Sequence, residues 1–251
     1  MALQTDNLTV GYGNTPLIAD IALHVRKGEI MTLIGANGSG KSTILKTISG
    51  YLQKLNGKIF FNGTDTDTIS QKKKSEILSV MLTDRISTEL MTCRDVVETG
   101  RYPYTGYFGI LSADDRKAVD EAIRLVDMQN FAEKDFSQVS DGQKQRVMLA
   151  KAICQEPDIL ILDEPTSYLD IYHKIRFLEV VRQLADVRKT AVVISMHELD
   201  FAQKISDYTV GIKDGEITHY GRPCDIFTRE IICELFSIPE NLYTKYFSCS
   251  F

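Results

Sequence analysis

The residues Gly35-Ala36-Asn37-Gly38-Ser39-Gly40-Lys41-Ser42-Thr43 have the types and spacing to hold a phosphate. They fit the pattern G-x-x-x-x-G-K-[ST], in which glycines let backbone N–H groups converge on phosphate oxygens without interference from a Cβ. Lys41 adds a point charge, a following helix adds the positive end of its dipole, and the Ser42 hydroxyl can ligate Mg²⁺. A second group of reactive residues stands at 163–166. There the apolar run Ile159-Leu160-Ile161-Leu162 ends in Asp163-Glu164-Pro165-Thr166. Successive strand residues point to opposite faces, so the two acids cannot do the same job. Asp163 suits the metal, usually through water, and Glu164, just past the strand, suits polarisation of an attacking water.

The flanking elements are those such a site needs. Gly28–Ile34 reads as a short buried strand ahead of the glycine loop, and Ile44, Leu45 and Ile48 after it suit one helix face. Residues 3–34 read as β-structure, with Ile21, Leu23 and Val25 alternating against polar neighbours and a turn at Gly11–Asn14. Asn56-Gly57 and Asn62-Gly63 bracket Lys58–Phe61 as hairpin turns, and Asp214-Gly215 marks another hairpin. Val119, Ala122, Ile123 and Val126 predict an amphipathic helix over Asp114–Asp127, and Arg146–Cys154 predicts a further one. Between residues 85 and 155 the chain therefore reads as a mainly helical insertion. Within it, Gly100–Gly109 is rich in Gly and Tyr, which suits either a packed turn or a contact surface for another protein. Strand signals return at Ile159–Leu162 and Ala191–Ser195 around a helical stretch from Tyr172 to Asp186, a βαβ unit with a parallel sheet. A last helix is expected near Arg229–Phe236.

Composition narrows the classes of function. The 251 residues are 43% hydrophobic, enough for a sizeable core, and carry 29 Lys plus Arg against 34 Asp plus Glu, a net charge of −5. That balance argues against broad electrostatic binding to nucleic acid. No apolar run approaches the ~20 residues of a transmembrane helix. The N-terminal residues 1–6 lack the basic-then-apolar pattern of a signal peptide. Cysteines 93, 154, 224, 233 and 249 are scattered without a C-x-x-C pair, which suits a reducing compartment.

Taken with Val139-Ser140-Asp141-Gly142-Gln143-Lys144-Gln145-Arg146, these pieces resemble the ATP-binding subunit of an ABC transporter over essentially the whole chain. Gly35–Thr43 is similar to Walker A, Leu160–Glu164 to Walker B with its catalytic glutamate, and Ser140–Gln143 to the LSGGQ signature. Ser167-Tyr168-Leu169-Asp170 is similar to the D-loop, Met196-His197-Glu198 to the switch histidine, and Tyr12 to the aromatic that stacks on adenine. The resemblance implies an α/β fold: a P-loop NTPase (RecA-like) core with an antiparallel β subdomain and an inserted α-helical subdomain. Residues 1–84 and 156–224 would form the core with the β subdomain, 85–155 the helical subdomain, and 225–251 a C-terminal extension. It implies ATP and Mg²⁺ as cofactors. Glu164, His197 and Lys41 would be catalytic. Tyr12, Gly35, Asn37, Gly38, Ser39, Gly40, Lys41, Ser42, Thr43, Ser140, Gly142, Gln143 and Asp170 would contact nucleotide. Ser42, Asp163 and Thr83 would hold the metal. The signature of one copy would face the nucleotide of a second in a head-to-tail dimer, and His197 would reach the γ-phosphate.

Two positions depart from the family pattern. Thr83 stands where a metal-ligating Gln is usual, with Asp84 next, and offers a hydroxyl of shorter reach. Asp141 stands where the signature usually has Gly, and a carboxylate near phosphates is unfavourable unless it points away or is paired. Gly100–Tyr104, Thr166–His173 and the tail around Asp225–Ile238 are similar to the importer ATPases for iron–siderophore, haem and cobalamin. Such importers pair two ATPase subunits with two permease subunits and, indirectly, an extracytoplasmic binding protein, which would place this chain at the cytoplasmic face of the membrane. A soluble ABC ATPase acting on nucleic acid or the ribosome is the alternative class, and those usually carry tandem ATPase domains or a long coiled-coil insertion. An importer of another small solute and a non-hydrolysing regulatory module are further alternatives, the last disfavoured by the intact Lys41, Asp163, Glu164 and His197.

Overall fold

The computed structural model describes residues 1–82, 90–106 and 109–247. Its strands are β1 (Leu3–Tyr12), β2 (Thr15–Ile21), β3 (His24–Val25), β4 (Ile30–Ile34), β5 (Asn56–Phe61), β6 (Thr64–Asp65), β7 (Leu78–Met81), β8 (Ile159–Asp163), β9 (Ala191–Ser195), β10 (Tyr208–Lys213) and β11 (Glu216–Gly221). The α-helices are α1 (Lys41–Ile48), α2 (Gln71–Ile77), α3 (Cys93–Glu98), α4 (Ala113–Leu125), α5 (Asp141–Cys154), α6 (Ile171–Arg188), α7 (Leu199–Ile205), α8 (Pro223–Ile226), α9 (Arg229–Phe236) and α10 (Glu240–Phe247).

A six-stranded sheet in the order β11-β10-β4-β9-β8-β7 forms the centre. All its pairs are parallel except β10 with β11. Strands β4, β8 and β9 are buried at every residue, which is why their sequences are near-continuous apolar runs rather than alternating ones. One apolar core, including Leu33, Leu45, Phe61 and Val193, lies between one face of this sheet, α1 and the antiparallel sheet β2-β1-β5-β6. The other core, including Ile34, Leu149, Leu162, Val181 and Ile194, lies on the opposite face under the helices. Neighbouring residues of one strand, such as Leu33 and Ile34, thus serve different cores.

Helices α3, α4 and α5 pack on one another, and each opens with a reciprocal capping box: Thr92 with Asp95, Ser112 with Asp115, Ser140 with Gln143. Helix α5 begins five residues before Arg146, because its first turn is polar and apolar periodicity cannot register it. Asn62-Gly63 and Asp214-Gly215 make the expected tight turns, both residues of each having positive φ. Asn56-Gly57 does not. It lies inside β5, opposite a register shift in β1 between Asp6 and Thr9, where a Cβ on Gly57 would stand 2.3 Å from the Asn7 carbonyl oxygen. Among the described residues, no helix is long and apolar enough to cross a membrane.

In the Gly- and Tyr-rich segment the anchors point inward. The Arg101 guanidinium donates to Asp115 Oδ1 at 2.8 Å, the Cys154 carbonyl at 2.7 Å and Glu156 Oε2 at 2.8 Å, and lies 4.2 Å from the Tyr104 ring centroid. Tyr102 and Tyr104 are both exposed, so Arg101 is the buried anchor of the group. Tyr107 and Phe108 lie outside the described residues.

Candidate functional site

The C-terminal ends of β4, β9 and β8 are adjacent in the sheet and each carries part of the site. From β4 the chain enters the glycine loop. Gly35 has φ +148°, and a Cβ there would stand 2.2 Å from the Ile212 carbonyl oxygen. Gly40 has φ +106° and forms the N-cap of α1 with no side-chain cap, so the first-turn N–H groups of the helix have no side-chain acceptor. Asn37 and Gly38 are exposed at the tip, and Ser39 Oγ is buried with no hydrogen-bond partner among the described residues. Lys41 is buried, and its Nζ donates to the carbonyls of Gly35 at 2.8 Å and Ala36 at 3.0 Å. Burial pushes the Lys41 ammonium below its ordinary range, and the carboxylates of Glu164 and Asp163 oppose that shift. Uncapped N–H groups, a partnerless buried hydroxyl and a lysine satisfied only by loop carbonyls fit an anion with several acceptor oxygens.

The acids stand opposite. Asp163 closes β8 at 1% exposure, and its Oδ1 accepts from Ser42 Oγ at 3.0 Å and from Ser195 Oγ at 2.7 Å. Ser42 and Asp163 supply hard oxygen donors side by side. Mg²⁺ needs only one or two carboxylates beside phosphate and water oxygens, so this pair fits it. No group of three or more His, Cys, Asp or Glu suited to a metal occurs among the described residues. Thr83 and Asp84 lie outside the described residues.

Glu164 turns away from the strand with φ +48°, and its N–H donates to Ser195 Oγ at 2.9 Å. Its Oε1 lies 2.5 Å from His197 Nε2. The two side chains are therefore paired with each other, and the same His197 nitrogen reaches a phosphate only by sharing or opening that bond. Tyr12 is 58% exposed and stands over the end of the loop, its hydroxyl 3.2 Å from Thr43 Oγ1.

The signature residues sit elsewhere in the copy. Ser140 Oγ accepts from the Gln143 N–H at 3.3 Å, and Gln143 Oε1 accepts from the Ser140 N–H at 3.0 Å. A Cβ on Gly142 would meet the Tyr168 carbonyl oxygen at 3.3 Å, so the start of α5 packs on the turn that leads to Asp170. Asp170 Oδ1 caps α6 by accepting from the His173 N–H at 2.9 Å. No hydrogen bond among the described residues joins Ser140, Gly142, Gln143 or Asp170 to residues 35–43. Asp141 lies in the first turn of α5 with its carboxylate 3.9 Å from Lys144 Nζ, so the unexpected acid is paired along its own helix.

Sequence reasoning gave no individual role to Ser195, Glu198, Lys174 or Gln145, though Glu198 and Gln145 stood within the matched motifs. Ser195 is the polar end of an apolar run, a signal that could have marked it. Gln145 Nε2 donates to the Pro165 carbonyl at 2.7 Å and so ties α5 to the loop after Glu164.

Residues 18–167 match the family model for ABC transporter. An uncharacterized ABC transporter ATP-binding protein of Methanocaldococcus jannaschii is 42% identical over 97% of this chain and 84% of its own length. The iron(3+)-hydroxamate import ATP-binding protein of Bacillus subtilis is 32% identical over 97% of this chain and 90% of its own. Among solved structures, a transporter described as metal-chelate type, in an inward-facing conformation, superposes with a TM-score of 0.82 at 26% identity, covering 95% of this chain and 90% of that one.

Proposed function

The chain belongs to the ABC transporter family, and from that premise we propose that it is the ATP-hydrolysing subunit of an importer for an iron chelate or a related haem- or cobalamin-type substrate. The single observation that carries hydrolysis is the meeting of Lys41, Asp163 and the Glu164–His197 pair at adjoining strand ends. Lys41 and the α1 N–H groups hold the phosphates, and Tyr12 offers a ring to the adenine. Mg²⁺ at Ser42 and Asp163 would neutralise charge on the phosphate oxygens. Glu164 takes a proton from water as its oxygen bonds to the γ-phosphorus and the bond to the β-phosphate oxygen breaks. His197 holds the Glu164 carboxylate in place.

Two copies assembled head to tail complete the site, with Ser140 and Gly142 of one facing the phosphates of the other. That arrangement accounts for an α5 N-terminus that makes no bond to its own glycine loop. Residues 1–84 with 156–224 act as the catalytic core, 85–155 as the helical subdomain and 225–251 as an extension. Permease subunits anchor the chain at the cytoplasmic face. Their seat is the open cleft of about 530 Å³ lined by Lys72, Ser75, Tyr102, Pro103 and Gln155. The names of the hydroxamate-import relative and the metal-chelate neighbour support the substrate class.

The test is Glu164→Gln, which keeps shape but removes the base. Turnover should fall ~10²–10⁴-fold, a barrier increase of about 2.7–5.4 kcal/mol, while ATP stays bound. Unchanged turnover would remove Glu164 from the mechanism. Stimulation of the wild-type ATPase by a co-purified permease loaded with an iron-chelate binding protein tests the transport class, and its absence would refute it.

A further inference from the structure

Beside the Glu164–His197 pair, a second bridge joins the same two loops. Glu198 directly follows His197 and is the N-cap residue of α7, yet its side chain does not cap that helix. Its oxygens reach two other elements instead. Oε2 accepts from Thr166 Oγ1 at 3.1 Å, and Oε1 accepts from Lys174 Nζ at 2.5 Å. Thr166 is 1% exposed and stands two residues after Glu164. Lys174 stands in the first turns of α6, where its N–H donates to the Asp170 carbonyl at 2.8 Å. Burial alone would push the Glu198 carboxyl up, but the hydrogen bond and charge of Lys174 outweigh it and hold the group ionised below its ordinary range.

The loop so bridged needs holding. Glu164 carries a positive φ of +48°, a backbone state that costs a non-glycine residue of order 1–3 kcal/mol and persists only where neighbours over-determine it. Ser195 fixes this loop on the strand side through the Glu164 N–H. Glu198 fixes it on the far side through Thr166, and Lys174 ties Glu198 to the helix that Asp170 caps.

We infer that Glu198 and Lys174 form a positioning clamp that holds Glu164 and His197 in register and couples them to the Asp170 end of α6, the segment set against the second copy. The inference rests on the hydrolytic reading of the Glu164–His197 pair. Neither clamp residue touches the reacting atoms. The clamp differs from an ordinary stabilising ion pair in one respect: its loss reaches the chemical step of molecules that remain folded and bound to ATP.

The experiment is steady-state ATPase kinetics and equilibrium ATP binding on the full chain. Lys174→Met should lower kcat by ~10- to ~10²-fold, the scale of a misplaced catalytic group, with KM and ATP affinity within about twofold of wild type. Lys174→Arg, which keeps charge and donors, should restore most of the rate. The double exchange Lys174→Glu with Glu198→Lys should keep a kcat roughly 2- to 100-fold higher than the product of the two single relative rates predicts. Should Lys174→Met not fold, Glu198→Gln, which keeps the side-chain shape, carries the same expectation. A folded Lys174→Met chain with wild-type kcat overturns the clamp, as does a kcat loss matched by lost ATP affinity or a Lys174→Arg chain as slow as Lys174→Met. A wild-type chain without ATP turnover overturns the hydrolytic reading, and the clamp with it.

Discussion

Ser195→Ala is the most informative single substitution, because one buried hydroxyl serves both carboxylate positions. Ser195 is fully buried on β9, between the strands that carry the glycine loop and the acids. It donates to Asp163 Oδ1 at 2.7 Å and accepts from the Glu164 N–H at 2.9 Å. Alanine removes one oxygen and leaves no room for a replacement water where the strand is packed on both sides. The bond to a charged acceptor is worth about 1.5–3 kcal/mol, and an orphaned backbone N–H costs about 1–3 kcal/mol. Asp163 keeps Ser42 as a donor, which trims the first figure. A net loss of roughly 2–5 kcal/mol follows. For a chain of this size each kcal/mol lowers Tm by ~2–4 °C, so the midpoint should drop by about 4–20 °C.

The catalytic consequence is separable from the stability loss. Freed from Ser195, the positive-φ turn at Glu164 relaxes and its carboxylate shifts from His197. Below the lowered Tm, kcat should therefore fall by at least ~10-fold while ATP still binds, within the range a displaced group produces. Calorimetry or circular dichroism gives the first quantity, and a coupled ATPase assay at 20–25 °C below the mutant midpoint, or about that, gives the second. A Tm within about 2 °C of wild type, with wild-type kcat, would refute the assignment of Ser195 as the common support.

Three further outcomes are expected. Arg101→Met strands Asp115 in a buried site and should destabilise the fold by ~3–5 kcal/mol, read as a lower urea midpoint; replacing Asp115 with Leu as well should recover part of the loss. On acidification the urea midpoint should decline. Asp115 is held below its ordinary range by hydrogen bonds from Ser112 and from Arg101, and Glu198 is held low by Lys174 against the effect of burial. Such groups bind fewer protons folded than unfolded, so their stabilisation is complete above the ordinary carboxylate pKa of about 4 and is lost as pH falls through the lower folded value; a midpoint flat from pH 6 to 3, or thereabouts, would contradict the pairing. Tyr12→Ala should weaken ATP binding by about 1–3 kcal/mol, the scale of base–aromatic stacking, in a fluorescence titration, and an unchanged Kd would remove Tyr12 from the base site.

The division between what could and could not be read from sequence follows from locality. The phosphate loop, Asp163-Glu164 and His197 were legible because each is a polar group ending an apolar run. Strands buried on both faces produce such runs whatever their neighbours are. Strand order is not local. Only the placement of β9 between β4 and β8 puts Ser195 against Asp163, in a register that pairs those two residues directly. Likewise, Glu198 meets Lys174 and Thr166 across separations of 24 and 32 residues, which no periodicity encodes. Apolar spacing alone starts α5 late, at Arg146, for a different reason: its Ser140–Gln143 capping box is polar throughout, and periodicity is blind to it. Asn56-Gly57 misled because the same dipeptide that closes a hairpin can also supply the positive φ of a bulge, and the opposing strand decides which.

The groups assigned to the chemistry are therefore those that local sequence announces, whereas the groups that hold them still are distributed. Glu164 shows why both are needed. Its carboxylate is useful only if the backbone stays at a positive φ that favours release, and what prevents release is Ser195 on one side and Thr166 with Glu198 on the other. Because Lys174 extends that support to the helix capped by Asp170, a change at the surface proposed to face a second copy has a covalently short and hydrogen-bonded route to the base. Hydrolysis that waits for assembly needs such a route, and here Glu198, Thr166 and Lys174 supply it from outside the glycine loop.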